Sequence, residues 1–154
     1  MERQNKQLVI EQLDKKLKKY EAISLSDIPG RGWLYTIRTA LGMSLRQLAK
    51  RLNKTVPTLK EIEEREVNKN ITLKKLSEVA NVLEMQLVYA LVPKGLSIEK
   101  MIESRAHEIA SQIVLGASHT MELEDQRSSN ERLNKAIADQ AQKIKREMPR
   151  YLWD

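Results

Sequence analysis

A mainly α-helical protein is predicted by three features of this 154-residue sequence. Leu, Lys, Glu, Ala, Ile and Arg dominate, with no Phe and only five Gly, and such a composition favours helices. Apolar residues recur at three- and four-residue spacing through most of the chain, which is the period of a helix with one buried face. Ser and Thr residues stand just ahead of several of those runs, where helix N-termini need caps. A single β-prone stretch, Met85 to Pro93, breaks the pattern.

The first element is a helix of roughly four turns, with Leu8 or Val9, Leu13, Leu17 and Tyr20 as a narrow apolar stripe and Ile10 and Ile23 nearby. Ser24 to Gly32 holds a Pro, two Gly and cap formers, so it reads as a linker. A second helix presents Trp33, Leu34, Ile37 and Leu41 on one face, and Gly42 is its stop. The third opens at Ser44, which has capping-box spacing to Gln47, with Met43 and Leu48 placed for a hydrophobic staple. Its inner face is Leu45, Leu48, Ala49 and Leu52. Asn53-Lys54 is the turn, because Asn tolerates a left-handed backbone.

Thr55 caps the fourth helix. Pro57 has no N–H, so the Thr55 hydroxyl is expected to accept from Thr58 instead. Leu59 and Ile62 point inward, and Glu66 to Asn70 reads as a polar loop. Thr72 caps a fifth helix with Leu73, Leu76, Ala80 and Leu83 as its buried stripe, and Ile71 with Leu76 as a second staple. "MQLVYALVP" is continuous, β-prone and ended by Pro93, hence a strand. A lone strand cannot satisfy its own backbone, so Leu87, Val88, Tyr89, Ala90, Leu91 and Val92 are expected to pair with the same strand of a second copy in a homodimer.

Beyond Gly95, Ser97 starts a sixth helix striped by Ile98, Met101, Ile102, Ala106, Ile109, Ala110 and Ile113, with Gly116 as an interruption. "ASHTMELEDQ" reads as a short helix or a turn. A last helix has Ser128 and Glu131 at capping-box spacing and a stripe of Leu133, Ala136, Ile137, Ala141 and Ile144. Pro149 ends it. The organisation is thus residues 1–30 as helix and linker, 31–84 as a domain of four short helices with a helix-turn-helix at its centre, 85–95 as a dimerisation strand and 96–154 as a helical extension.

Charge sorts these parts. Residues 1–95 hold 18 Lys/Arg against 11 Asp/Glu, whereas 96–154 hold 9 against 10. A polyanion as partner of the first part would account for that asymmetry. Absence of Cys excludes disulfide frameworks and zinc fingers, and fits a reducing compartment. The longest apolar run, Leu87 to Val92, is far short of the ~20 residues of a membrane span. The charged start "MERQNKQ" does not lead into a signal-peptide core. A cytoplasmic protein without a membrane partner is expected.

Helices two to five resemble the five-helix lambda-repressor-like fold of the Cro and xenobiotic-response-element repressors, over roughly Gly32 to Leu83. The signature here is "MSLRQLAKRLNKTVPTLKEIE". The resemblance implies binding to a double-stranded DNA operator, with the start of the fourth helix in the major groove. It places base reading on Val56, Pro57, Lys60 and Glu61. Contacts to phosphate fall on Ser44, Arg46, Lys50, Arg51, Lys54, Thr55 and Thr58, with Lys60 also within reach. Leu45 stands where the family often has a phosphate-touching Gln. Glu61, Glu63, Glu64 and Glu66 would repel phosphates if they faced DNA, although Glu63 takes the family's structural position, toward the domain's own arginines. Glu61 can accept from cytosine N4, and Val56 and Pro57 can meet a thymine methyl.

Four stretches spread in order along the chain, "PGRGWLYTIRTALGMS", "ITLKKLSEVANVLEMQLVYALVP", "SHTMELEDQ" and "RYLWD", resemble the family called mobile mystery protein A. That family is typically encoded beside mobile mystery protein B, a Fic-domain protein. The resemblance implies an antitoxin-like autorepressor. No Glu in this chain is followed by Gly or Asn, so the inhibitory helix motif of the best-known Fic antitoxins is missing. The alternative is a protein-binding antitoxin or adaptor that keeps the repressor shape without specific DNA binding.

No enzyme or cofactor is expected. His107 and His119 are twelve residues apart with no Cys, and Ser118-His119 has no carboxylate orienter. His119 with Glu122 and Glu124 reads as a solvated face rather than a metal site. Trp33 and Trp153 read as packing residues rather than stacking platforms.

Overall fold

The structure, a computed structural model, describes residues 2–23, 27–95, 97–118 and 126–154, with side chains from residue 5 and, in the last helix, from residue 130. In chain order the helices are α1 (Glu2–Lys18), α2 (Trp33–Ala40), α3 (Leu45–Arg51), α4 (Val56–Val67), α5 (Leu73–Val82), α6 (Ile98–Ser118) and α7 (Gln126–Glu147). A 3-10 turn, Arg150–Trp153, follows. They form two compact units, Glu21–Ala90 and Met1–Tyr20 with Leu91–Asp154. His119, Glu122, Glu124 and most of "SHTMELEDQ" lie outside the described residues, as does the side chain of Ser128.

In the Glu21–Ala90 unit, local chemistry sets the helix starts. Ser44 and Gln47 form the full capping box: the Gln47 N–H donates to Ser44 Oγ, and the Ser44 N–H to Gln47 Oε1. Thr55 Oγ1 accepts from the Thr58 N–H at 3.3 Å, as Pro57 requires, and Thr72 Oγ1 accepts from the Lys75 N–H. Asn53 has φ +53° and makes the left-handed turn between α3 and α4. The core is Leu34, Leu48, Ala49, Leu52, Leu59, Ile62, Val79 and Leu83.

Several faces differ from the periodic reading. Trp33, Leu41 and Leu73 are exposed, and Arg38 on α2 and Val79 on α5 take inner places, whereas Leu34, Ala80 and Leu83 are buried as expected. Nor is Glu66 in a loop: α4 continues to Val67. The reason is tertiary. The Glu66 carboxylate accepts the N–H groups of Trp33 at 2.8 Å and Leu34 at 2.9 Å, the two donors that α2 leaves unsatisfied because Gly32 offers no side-chain cap. Gly32, at φ +81°, brings the backbone so close that a Cβ there would stand 2.7 Å from Glu66 Oε2.

The strand expected at Leu87 to Val92 is absent. Residues 85–93 carry no regular secondary structure, and Val88, Tyr89 and Leu91 are 64%, 71% and 86% exposed. The physical reason is the one that made a partner necessary: one extended segment has nothing to pair with in a single chain.

In the second unit α6 and α7 pack along their length, burying Ile102, Ala106, Ile109, Ala110, Ile137, Ile144 and Leu152. Met101 and Ile113 stay exposed. Gly116 does not interrupt α6, and α7 starts two residues before Ser128. One glycine costs a helix only about 1 kcal/mol, which packing overrides. On α1 the stripe is rotated from the expected one. Leu8, Val9 and Leu13 are exposed, while Ile10 packs on the core. Asp14 accepts the N–H groups of Ile98 and Glu99, capping α6 from outside. Arg105 donates to the carbonyls of Leu152 and Asp154 and so holds the terminal turn.

Lys145 ties α7 to α6 through Glu99 at 2.9 Å and through Glu103, which Lys100 also meets at 2.6 Å. Hydrogen bonds from Lys100 and then Lys145 hold the Glu103 carboxyl down at about 2, from an ordinary 4.5. Its contribution to stability is therefore present above pH 4.5 and is lost as pH falls from there toward 2. Thermal melts across that window should show the loss, and Glu103→Gln should flatten it. A variant as acid-sensitive as the parent would assign the loss to other carboxylates.

Candidate nucleic-acid interface

The outer surface of α4 is set by what its inner surface must do. Leu59 and Ile62 bury against Leu48, Ala49 and Leu52, which turns Val56, Pro57, Lys60 and Glu61 to the outside, where all four are exposed. Thus the structure brings the four base-reading candidates together on one ridge, across the first two turns of α4. That is the part of such a helix which enters a groove.

Around this ridge, Arg46 on α3, Lys50 and Arg51 at its end, and Lys54 in the turn are exposed. With Lys60, none of them forms a salt bridge among the described residues. The hydroxyl candidates are differently placed. Ser44 and Thr55 already accept backbone N–H groups as caps, and the Thr55 and Thr58 hydroxyls share a 2.8 Å hydrogen bond. They shape the helix starts; the Thr55 hydroxyl keeps one free position, and those of Ser44 and Thr58 keep two each.

The glutamates of α4 divide into two pairs. Glu63 is buried and pairs with Arg38 of α2 through Nε–Oε1 at 2.6 Å and Nη2–Oε2 at 3.1 Å, while Arg38 Nη1 donates to the Met43 carbonyl. Glu66 closes the N-terminus of α2. Neither carboxylate is available to repel phosphate. Outward-facing Glu61 and Glu64 remain, and Glu61 Oε1 meets Arg65 Nη2 at 2.6 Å.

Sequence reasoning did not single out the cleft between α4 and α5, lined by Lys54, Thr58, Glu61, Arg65, Lys69 and Lys75 among others. Its basic residues come from three chain segments, so only folding assembles them. A local signal did exist at α5: its first turn holds Lys74 and Lys75 and no acid. The first turn of α3 likewise has Arg46 and no acid. Cations at helix N-termini oppose the helix dipole, an arrangement that a polyanion held against both ends would relieve.

On the other flank of α4, Arg31 stacks over the Tyr35 ring, its guanidinium carbon 3.7 Å from the ring centroid. Among the described residues no group of His, Asp or Glu is arranged to hold a metal ion, and no helix is long and apolar enough to cross a membrane.

Residues 34–89 match the helix-turn-helix family model HTH_3. The match starts one residue inside α2 and runs past α5, so it covers the four-helix arrangement just described except Trp33. No curated protein and no solved structure gives a match to the chain.

Proposed function

We infer, from the helix-turn-helix domain at residues 34–89, that this chain is a sequence-specific DNA-binding transcriptional regulator. The observation that carries this reading is the outer face of α4. Its four reading positions are exposed together, cations that form no salt bridge among the described residues surround them, and two of the four glutamates are turned away into the domain. In this reading Val56, Pro57, Lys60 and Glu61 meet base edges, while Arg46, Lys50, Arg51 and Lys54 position the domain on phosphates. The regulator acts as a homodimer paired through Leu87 to Val92, on half-sites about one helical turn, ~34 Å, apart.

The finer part of the proposal rests on the four ordered stretches shared with mobile mystery protein A. It is that the chain represses its own gene and partners a Fic-domain protein, with no catalytic role of its own. Co-expression of the full chain with a neighbouring Fic-domain protein tests this. A stable complex supports the partnership, and separate elution removes it.

Footprinting of the chain's own promoter region tests the main reading. Protection should appear at low salt, and log affinity should fall against log salt with a slope of about −0.9 per phosphate neutralised. Glu61→Ala should change the preference at one base position by roughly 1–3 kcal/mol. Arg51→Ala or Lys54→Ala should instead weaken all sites alike and flatten the salt slope. No protection at low salt would leave the other reading, a protein-binding adaptor built on the repressor shape.

A further inference from the structure

We propose that Arg65 is the positioning residue for sequence reading by α4. It fixes the Glu61 carboxylate for its base contact and offsets the charge of that carboxylate between the phosphate strands. This rests on the reading of α4 as a DNA-recognition helix.

Glu61 is an unusual side chain to carry into DNA. A major groove is flanked by two phosphate strands, and a bare carboxylate entering between them meets repulsion from both sides. Glu63 avoids that by pairing with Arg38, and Glu66 by accepting the first N–H groups of α2, but Glu61 lies on the exposed ridge. Of the two outward glutamates, Glu61 alone has a salt-bridge partner among the described residues, Arg65 at 2.6 Å.

That pair adds little to stability. Its side chains are 57% and 56% exposed, and ion pairs so wetted contribute almost nothing measurable. Its consequences are geometric. Glu61 stands four residues N-terminal to Arg65, the favourable order on a helix, so the partner is carried on the same rigid rod. In the α4–α5 cleft that the pair borders, Glu61 is the one carboxylate among the lining residues, beside Lys54, Lys69 and Lys75. The Lys75 amine is held by Glu78 at 2.7 Å. Of the cations that line the cleft, Arg65 is the one carried by α4 itself.

The atoms used leave the right ones free. Arg65 Nη2 holds Oε1 of Glu61, and Oε2 remains to accept from the amino group of a cytosine. The guanidinium has five N–H donors in a fixed fork. One edge on Glu61 leaves others for a phosphate oxygen, so a bridge from phosphate through Arg65 to the reading carboxylate can form. A lysine keeps the charge but lacks the fork.

Selection from a random duplex pool by the full-length chain tests this, with Glu61→Gln, Arg65→Gln, Arg65→Lys and the Glu61→Gln/Arg65→Gln double variant. Arg65→Gln should cut the preference at the Glu61-dependent base pair by about tenfold and leave the rest of the consensus in place. Arg65→Lys should restore part of it. In the double variant the Arg65 change should add nothing at that base pair, as expected for residues acting as one unit. Melting temperatures should match the parent throughout, which a merely structural role would not allow. Uniform weakening of all sequences by Arg65→Gln, with the preference intact, would make Arg65 a plain phosphate contact and overturn the proposal. A consensus untouched by Glu61→Gln would overturn it too. A parent chain that selects no sequence would remove the DNA reading itself, an outcome distinct from both.

Discussion

Glu63→Ala will destabilise the Glu21–Ala90 unit by about 3–5 kcal/mol, the cost of stranding one partner of a buried ion pair. Arg38 is only 6% exposed, and its guanidinium lies between the Glu63 carboxylate and the Met43 carbonyl. Arginine cannot shed its proton to escape burial, and the hydrogen bond to Glu63 raises its pKa further. Urea unfolding followed by Trp33 fluorescence in a Trp153→Phe background would measure the loss, since Trp153 is exposed and cheap to replace. The double replacement Arg38→Met/Glu63→Leu should recover most of it, because an apolar pair of similar volume leaves no charge behind. A loss below about 1 kcal/mol for Glu63→Ala, the range of a surface pair, would show that water reaches Arg38 in solution.

Val88→Pro should leave the monomer folded and abolish the proposed dimer. Val88 is exposed, in a segment without regular structure, so proline there disturbs nothing in the single chain. In a paired strand the same change removes a ladder donor and fixes φ. If the parent sediments as the proposed dimer, the variant should sediment as a monomer at the same concentration. Operator affinity should fall steeply because the two half-sites are then bound independently. A variant that dimerises like the parent would move the interface elsewhere, for instance to the exposed Leu8, Val9 and Leu13 on α1.

Those two expectations draw on different kinds of information. The Thr55 cap is legible at once, because Pro57 forbids the alternative and both partners lie within four residues. The same holds for Ser44 with Gln47, for the left-handed Asn53 and for the outward ridge of α4. The Glu61–Arg65 pair has a helical spacing that could have been noticed. By contrast Trp33 and Leu41 share the period of the α2 stripe and stay exposed, while Arg38 takes the buried place because Glu63 waits there. Periodicity ranks apolar positions, but it cannot see a charge that is neutralised from another helix.

By itself, then, the sequence determined the helical class, the helix starts of α3, α4 and α5, and which α4 residues form the candidate reading ridge. All of these follow from interactions within a turn or two of chain. Only the tertiary structure decided that the Glu66 carboxylate closes the start of α2, that Asp14 caps α6, and that Lys69 and Lys75 join Lys54 in one cleft. Each joins residues whose separation along the chain carries no periodic signal. Such pairings become favourable only once packing has already brought two elements together, because until then the entropy of closing the intervening loop outweighs a single hydrogen bond.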